Sequence, residues 1–298
     1  QETLLKHLAE NEAKTEEIPN VEYLKMFIDA KQIEGCSERT LQYYRVTIEH
    51  MLGSIETPIR KITTDEIRGY LVDYQKVNNC SKVTVDNVRR NMSSFFSWLE
   101  EEDYILKSPM RRIHKIKTKQ PVKETITDEM IEKLRDNCTC VRDLAMIDLL
   151  YSTGIRVGEL VGLNISDIDF EERECIVFGK GDKERRVYFD AKAKLHLQEY
   201  IESRTDDNPA LFVTLDAPHA RLKISGVEIR VRELGRKLNI DKIHPHKFRR
   251  TMATRAIDKG MPIEQVQKIL GHSQIDTTMQ YAIVNQNNVK VSHRRYIA

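Results

Sequence analysis

The chain has 298 residues, 40% hydrophobic and 32% charged, with a formal net charge of +2, which is length for roughly two domains of ~150 residues each. No apolar run approaches the ~18 residues of a membrane span, and the N-terminus lacks the charged-then-apolar build of a signal peptide, which sets membrane and secreted classes aside. Five scattered cysteines, Cys36, Cys80, Cys138, Cys140 and Cys175, point to reduced thiols in a cytoplasmic protein; Cys138 and Cys140 stand too close together for a zinc site, and no second pair follows.

Residues 1–20 read as a polar, acidic leader, and four helical patterns follow. Val21 to Ile33 carries Tyr23, Leu24, Phe27 and Ile28 at helical spacing. Ser37 is expected to cap the second helix, with Leu41, Tyr44 and Ile48 as its stripe and Gly53 at its end. Thr64 is expected to cap the third, and Ser81 the fourth, on which Val85, Val88, Met92, Phe95, Phe96 and Leu99 form a broad apolar face. Nothing in 21–106 reads as a strand, so a small all-helical bundle is expected there.

Residues 107–123 run KSPMRRIHKIKTKQPVK, with seven cations and no acid. This stretch is expected to be an interdomain linker, either a solvated spacer or a strap along a phosphate backbone. Arg111, Arg112, Lys115, Lys117 and Lys119 are its candidate DNA contacts.

The second domain, 124–298, begins with a helix capped by Thr127 and acidic in its first turn, followed by a second from about Val141 to a stop at Gly154. Periodicity then changes. Cys175–Phe178 and Arg185–Phe189 read as two short strands joined by a glycine-containing turn. Helices resume at Ala191. Pro245 starts one that Gly260 ends, Pro262 opens the next and Gly271 closes it, and Asp276 or Thr277 is expected to cap a last one bearing Tyr281. The fold class is therefore mainly α, with a small antiparallel sheet in the C-terminal domain and a tail from about 283 to 298.

Chemistry gathers in four places. Arg156 follows the turn at Gly154, with Glu159 placed to orient its guanidinium. Lys180 sits between Gly179 and Gly181, where backbone can approach a ligand closely. His246 and Arg249 lie within ~60° of each other on one helix. His272 leaves a helix end, and Tyr281 follows nine residues on. Each alone has an ordinary structural explanation. Together they suit displacement at a phosphodiester: arginine forks for the non-bridging oxygens, a phenol nucleophile, and a lysine to protonate the leaving oxygen. That chemistry asks for no cofactor, because a phosphotyrosine bond stores the energy for resealing. The glycines around Lys180 do not have the spacing of a Walker loop, which sets nucleotide binding aside.

Thr153 to Leu160 (TGIRVGEL), GKGDKER from Gly179, HPHKFRRTMAT from His244 and LGHSQIDTTMQY ending at Tyr281 resemble the signature stretches of tyrosine recombinases, the family of phage integrases, Xer recombinases and Cre. The resemblance covers the second domain and extends more weakly to the first, which looks like the family's core-DNA-binding domain. It implies that Arg156 and Arg249 clamp the scissile phosphate, that Lys180 is the general acid and that His246 accepts or relays the tyrosine proton. His272 would hydrogen-bond the phosphate, and Tyr281 would be the nucleophile. It also implies double-stranded DNA with specific sites as substrate, a 3′-phosphotyrosine intermediate, and assembly to dimer and tetramer through a Holliday junction. The family commonly has histidine where this chain has Arg250. The short, acidic leader does not resemble the arm-binding domain of many phage integrases, which points to a simpler recombinase of Xer-like build or to an invertase or transposase of a small mobile element. A type IB topoisomerase and a DNA-binding protein without cleavage activity are the alternatives.

Overall fold

The computed structural model describes residues 18–118, 124–179, 184–240 and 242–282, together with 294 and 297. It divides into two units, Gln1–Pro121 and Val122–Ala298. Among the described residues no helix is long and apolar enough to cross a membrane.

The first unit is built from α1 (Asn20–Ile33), α2 (Glu38–Ser54), α3 (Thr64–Val77) and α4 (Lys82–Glu101). Ser37 and Ser81 accept hydrogen bonds from the backbone of Thr40 and Thr84, as caps do. Gly53 lies inside the last turn of α2 rather than ending it. α3 is capped by Thr63, not Thr64: Thr63 and Glu66 form a reciprocal capping box. Thr64 instead donates its hydroxyl to the carbonyl of Pro109 at 2.8 Å. The core is aromatic, with Phe27 meeting Tyr44 and Phe95 edge to face, each at 5.2 Å between centroids.

Much of the basic stretch expected as a linker is folded onto these helices. Pro109–Arg112 forms a 3₁₀ turn capped by Ser108, with Met110 buried. Ile113 and Ile116 pack against the core, and the Ile116 backbone donates to Asp86 Oδ1 at 3.0 Å. Lys119 lies outside the described residues.

The second unit holds α5 (Asp128–Asp136), α6 (Val141–Thr153), α7 (Val157–Gly162), α8 (Ala191–Glu202), α9 (Ile224–Lys237), α10 (Pro245–Asp258), α11 (Ile263–Leu270) and α12 (Ile275–Met279). α6 is its central helix, buried on nearly every side. Two acids stay in that core because each is paired. Asp148 accepts from Arg135 at 2.6 Å and His196 at 2.5 Å, and Asp143 accepts from Arg142 and Arg230, each at 2.7 Å.

The sheet is antiparallel, ordered β1 (Ile168–Asp169), β2 (Glu174–Phe178), β3 (Glu184–Tyr188), with Val177 opposite Arg185 and Cys175 opposite Val187. β1 was not expected from the sequence: two residues are too few to show a period. Residues 203–223 do not continue helical as expected; single bridges, Asn164 to Ala210 and Val213 to Arg221, tie them down.

Candidate active site

Gly154 ends α6 in the left-handed conformation, φ +63°, and this reversal delivers Arg156 to the N-cap position of α7. The Arg156 backbone N–H donates to Glu159 Oε2 at 2.7 Å and its Nη1 to Oε1 at 2.9 Å, with Nη2 3.4 Å from the carbonyl of Gly271. The side chain is still 42% exposed, so part of the guanidinium remains open to solvent. Burial opposes ionisation of Glu159, but bonds from Arg185, the Arg156 backbone and the Arg156 guanidinium outweigh it and hold the carboxyl below its ordinary value.

Arg249 is only 2% exposed. Its Nη1 donates to the carbonyl of Gly154 at 2.7 Å and its Nη2 to that of Leu270 at 2.6 Å. Those carbonyls close α6 and α11, so the cation sits where two helix dipoles present their negative ends. Burial first, and then the neighbouring Arg156 charge, pull its pKa down to about 10, which leaves it charged near neutral pH.

His272 directly follows Gly271, the left-handed residue that ends α11. Its Nε2 lies 2.9 Å from Arg249 Nη2 and its Nδ1 2.9 Å from the Thr278 hydroxyl. Arg249 can only donate, so Nε2 accepts and Nδ1 carries the proton toward Thr278. Burial, then the charges of Arg249, Arg156, Arg185 and His246, pull His272 down to about 4. The ring stacks on Tyr281 with centroids 6.1 Å apart and planes 24° from parallel.

Tyr281 lies two residues beyond α12 rather than in it, its N–H donating to the carbonyl of Thr278 at 2.9 Å. Its ring is 8% exposed, against Ala253, Val266 and Leu270. Gln274 occupies the N-cap position of α12, in place of the expected Asp276 or Thr277. His246 is exposed in the first turn of α10.

The structure thus brings Arg156, Arg249, His272 and Tyr281 together around one spot. Lys180 lies outside the described residues, between Gly179 and the start of β3. Of the expected basic contacts, Arg111 is paired with Glu100, while Arg112, Lys115 and Lys117 are exposed.

Sequence reasoning missed Arg185. Its Nη1 and Nη2 donate to the two oxygens of Glu159, each at 2.7 Å, and its Nε to the carbonyl of Ile269 at 2.8 Å. Strand alternation was the available signal, since Arg185 stands two residues before Val187 and shares its inward face. Thr278, fully buried beneath His272, carried no such mark.

The phage integrase family model matches residues 122–288, and the model of the phage integrase N-terminal SAM-like domain matches residues 23–106. A protein of Oceanobacillus iheyensis named tyrosine recombinase XerC is 30% identical over 92% of this chain and 95% of its own length. A tyrosine recombinase XerC of Leptospira interrogans is 32% identical over 92% of both chains. Among solved structures, the Tn1549 transposon integrase in complex with a circular intermediate DNA aligns with TM-score 0.76 at 20% identity, covering 92% of this chain and 99% of that one. The XerA recombinase aligns with TM-score 0.52 at 27% identity, covering 93% and 99%.

Proposed function

As this chain belongs to the phage integrase family and is a tyrosine site-specific recombinase, we propose that it cuts and rejoins duplex DNA through a 3′-phosphotyrosine bond made by Tyr281. The observation that carries this reading is the run of contacts in which Arg156 reaches the Gly271 carbonyl, Arg249 reaches His272 Nε2 and the His272 ring stacks on Tyr281.

The Tyr281 oxygen attacks the scissile phosphorus, the bond from phosphorus to the 5′ oxygen breaks, and charge builds on the non-bridging oxygens. Arg156 and Arg249 meet that charge from fixed positions, which costs little reorganisation as it develops. His246 takes the phenol proton and Lys180 supplies one to the departing 5′ oxygen. His272 hydrogen-bonds the phosphate only once its Nε2, which here accepts from Arg249, takes up a proton as the phosphate arrives. Attack by a 5′ hydroxyl of a second duplex reverses the step and completes strand exchange. Two duplexes require paired protomers, so the chain acts as dimer and tetramer through a Holliday junction, in the cytoplasm. The DNA-complexed Tn1549 integrase, which shares the fold, fits this reading.

The test uses covalent adducts on nicked duplexes cut from DNA flanking the gene. Tyr281→Phe is expected to keep DNA binding and lose every adduct; adducts at the level of the unaltered protein would sink the reading. Lys180→Ala is expected to slow cleavage by ~10²–10⁴, and sulfur in place of the 5′ oxygen should restore most of that rate. Should sulfur rescue Lys183→Ala and not Lys180→Ala, the acid is the other lysine of the turn.

A further inference from the structure

We infer that Arg185 is a positioning residue of the cleavage reaction: by taking the Glu159 carboxylate in a two-bond grip, it leaves the Arg156 guanidinium oriented but still charged toward the phosphate. The inference rests on the recombinase reading above. Arg185 ends the GKGDKER stretch.

The geometry divides the carboxylate unequally. Arg185 meets both oxygens with both Nη atoms at 2.7 Å, in the parallel fork of a strong guanidinium–carboxylate pair, and is only 12% exposed. Arg156 gives the same carboxylate one guanidinium bond, at 2.9 Å, and one from its backbone. Were Glu159 alone with Arg156, the two would pair face to face and their charges would cancel. With Arg185 present the cluster of Arg156, Arg185, Glu159 and Arg249 carries a net charge of about +2 at neutral pH, suited to the extra negative charge of the transition state.

Arg185 is also fixed in space. Its Nε holds the carbonyl of Ile269, one residue before the Leu270 carbonyl that holds Arg249. A Cβ built on Gly271 would stand 2.9 Å from its Cδ. Residue 185 is the second of β3 and pairs with Val177, so one side chain ties the turn end of the hairpin to the helix that Arg156 caps and to the segment that bears His272.

The experiment measures single-turnover cleavage of the nicked flanking duplexes by the full chain. Arg185→Ala should cleave about 10²-fold more slowly, the scale of losing one preorganised stabilising group, with DNA affinity within a few-fold. Adding Glu159→Gln to it should recover at least about tenfold, because the carboxylate that then neutralises Arg156 is gone; a merely structural role predicts no recovery. Cleavage by Arg185→Ala at the unaltered rate, or a double variant no faster than the single, would overturn the inference. If Arg185→Ala does not fold, Arg185→Lys serves: cation kept, fork lost, a loss of more than about tenfold in cleavage at unchanged melting temperature is expected, and cleavage at the unaltered rate would overturn it. Adducts that depend on Tyr281 in the otherwise unaltered protein separate failure of this inference from failure of the recombinase reading.

Discussion

Burial, together with the charges of Arg249, Arg156 and Arg185, keeps the His272 imidazole neutral. Its folded pKa is about 4, against ~6.5 for a free histidine. Between those values the unfolded chain binds a proton that the folded chain does not, so stability rises with pH across the window. The contribution is complete above ~6.5 and is lost as pH falls toward 4. His272→Gln should therefore flatten the rise of urea midpoint with pH between about 4.5 and 6.5, and an unaltered slope would place the titrating group elsewhere. At this scale the sequence was legible wherever a residue type has few other uses in a motif: Arg156, Arg249, His272 and Tyr281 all meet. Burial was not legible. Arg249 reads equally well as a snorkelling surface arginine, and only the folded chain brings the carbonyls of Gly154 and Leu270 to it. Arg185 was hidden for the same reason, because its partner Glu159 is 26 positions away.

The elements that place these residues depend on how helices end. At Gly154 φ is +63°, and an added Cβ would stand 2.3 Å from Met252 Cε. The methionine end can swing aside, whereas the backbone strain stays, at about 1–3 kcal/mol for a non-glycine residue held there. Gly154→Ala should lower the melting temperature accordingly and also slow cleavage, since the carbonyl that holds Arg249 belongs to this residue. A destabilised variant with undiminished cleavage would show that the carbonyl tolerates displacement. The long amphipathic helices and the hairpin were readable from caps and periodicity. The errors fell where local signals are nearly degenerate: Thr63 and Thr64 are both good caps, and only the reach of Glu66 decides between them. α12, five residues long, is set by packing under His272 and Tyr281, not by propensity.

Over the whole molecule, a net charge of +2 conceals an uneven distribution. The basic stretch after α4 is anchored through Met110, Ile113 and Ile116, with Arg112, Lys115 and Lys117 turned outward. Replacing those three by alanine should weaken binding to all DNA sequences alike and reduce the slope of log K against log salt by up to ~0.9 per lost phosphate contact. Arg111→Ala should leave the slope nearly unchanged, because Arg111 is engaged by Glu100. Equal effects of the two variants would mean that the Glu100 pair opens when DNA arrives. The two-domain division was legible from this charge change, but the folding of the stretch onto the bundle was not, since Met110, Ile113 and Ile116, though spaced by three, are too few among so many cations to mark a buried face.

Order of synthesis gives one of these contacts a further meaning. Arg156 and Arg249 leave the ribosome well before Leu270, whose carbonyl takes one end of the Arg249 fork, and Tyr281 follows later still. A nascent chain that stops short of α11 lacks the Leu270 acceptor of Arg249 and also lacks Tyr281. Translation therefore delivers Tyr281 only after every residue that Arg249 and His272 bond, apart from Thr278 three positions earlier, has long been made, so the last turn of the site is also the last to be synthesised.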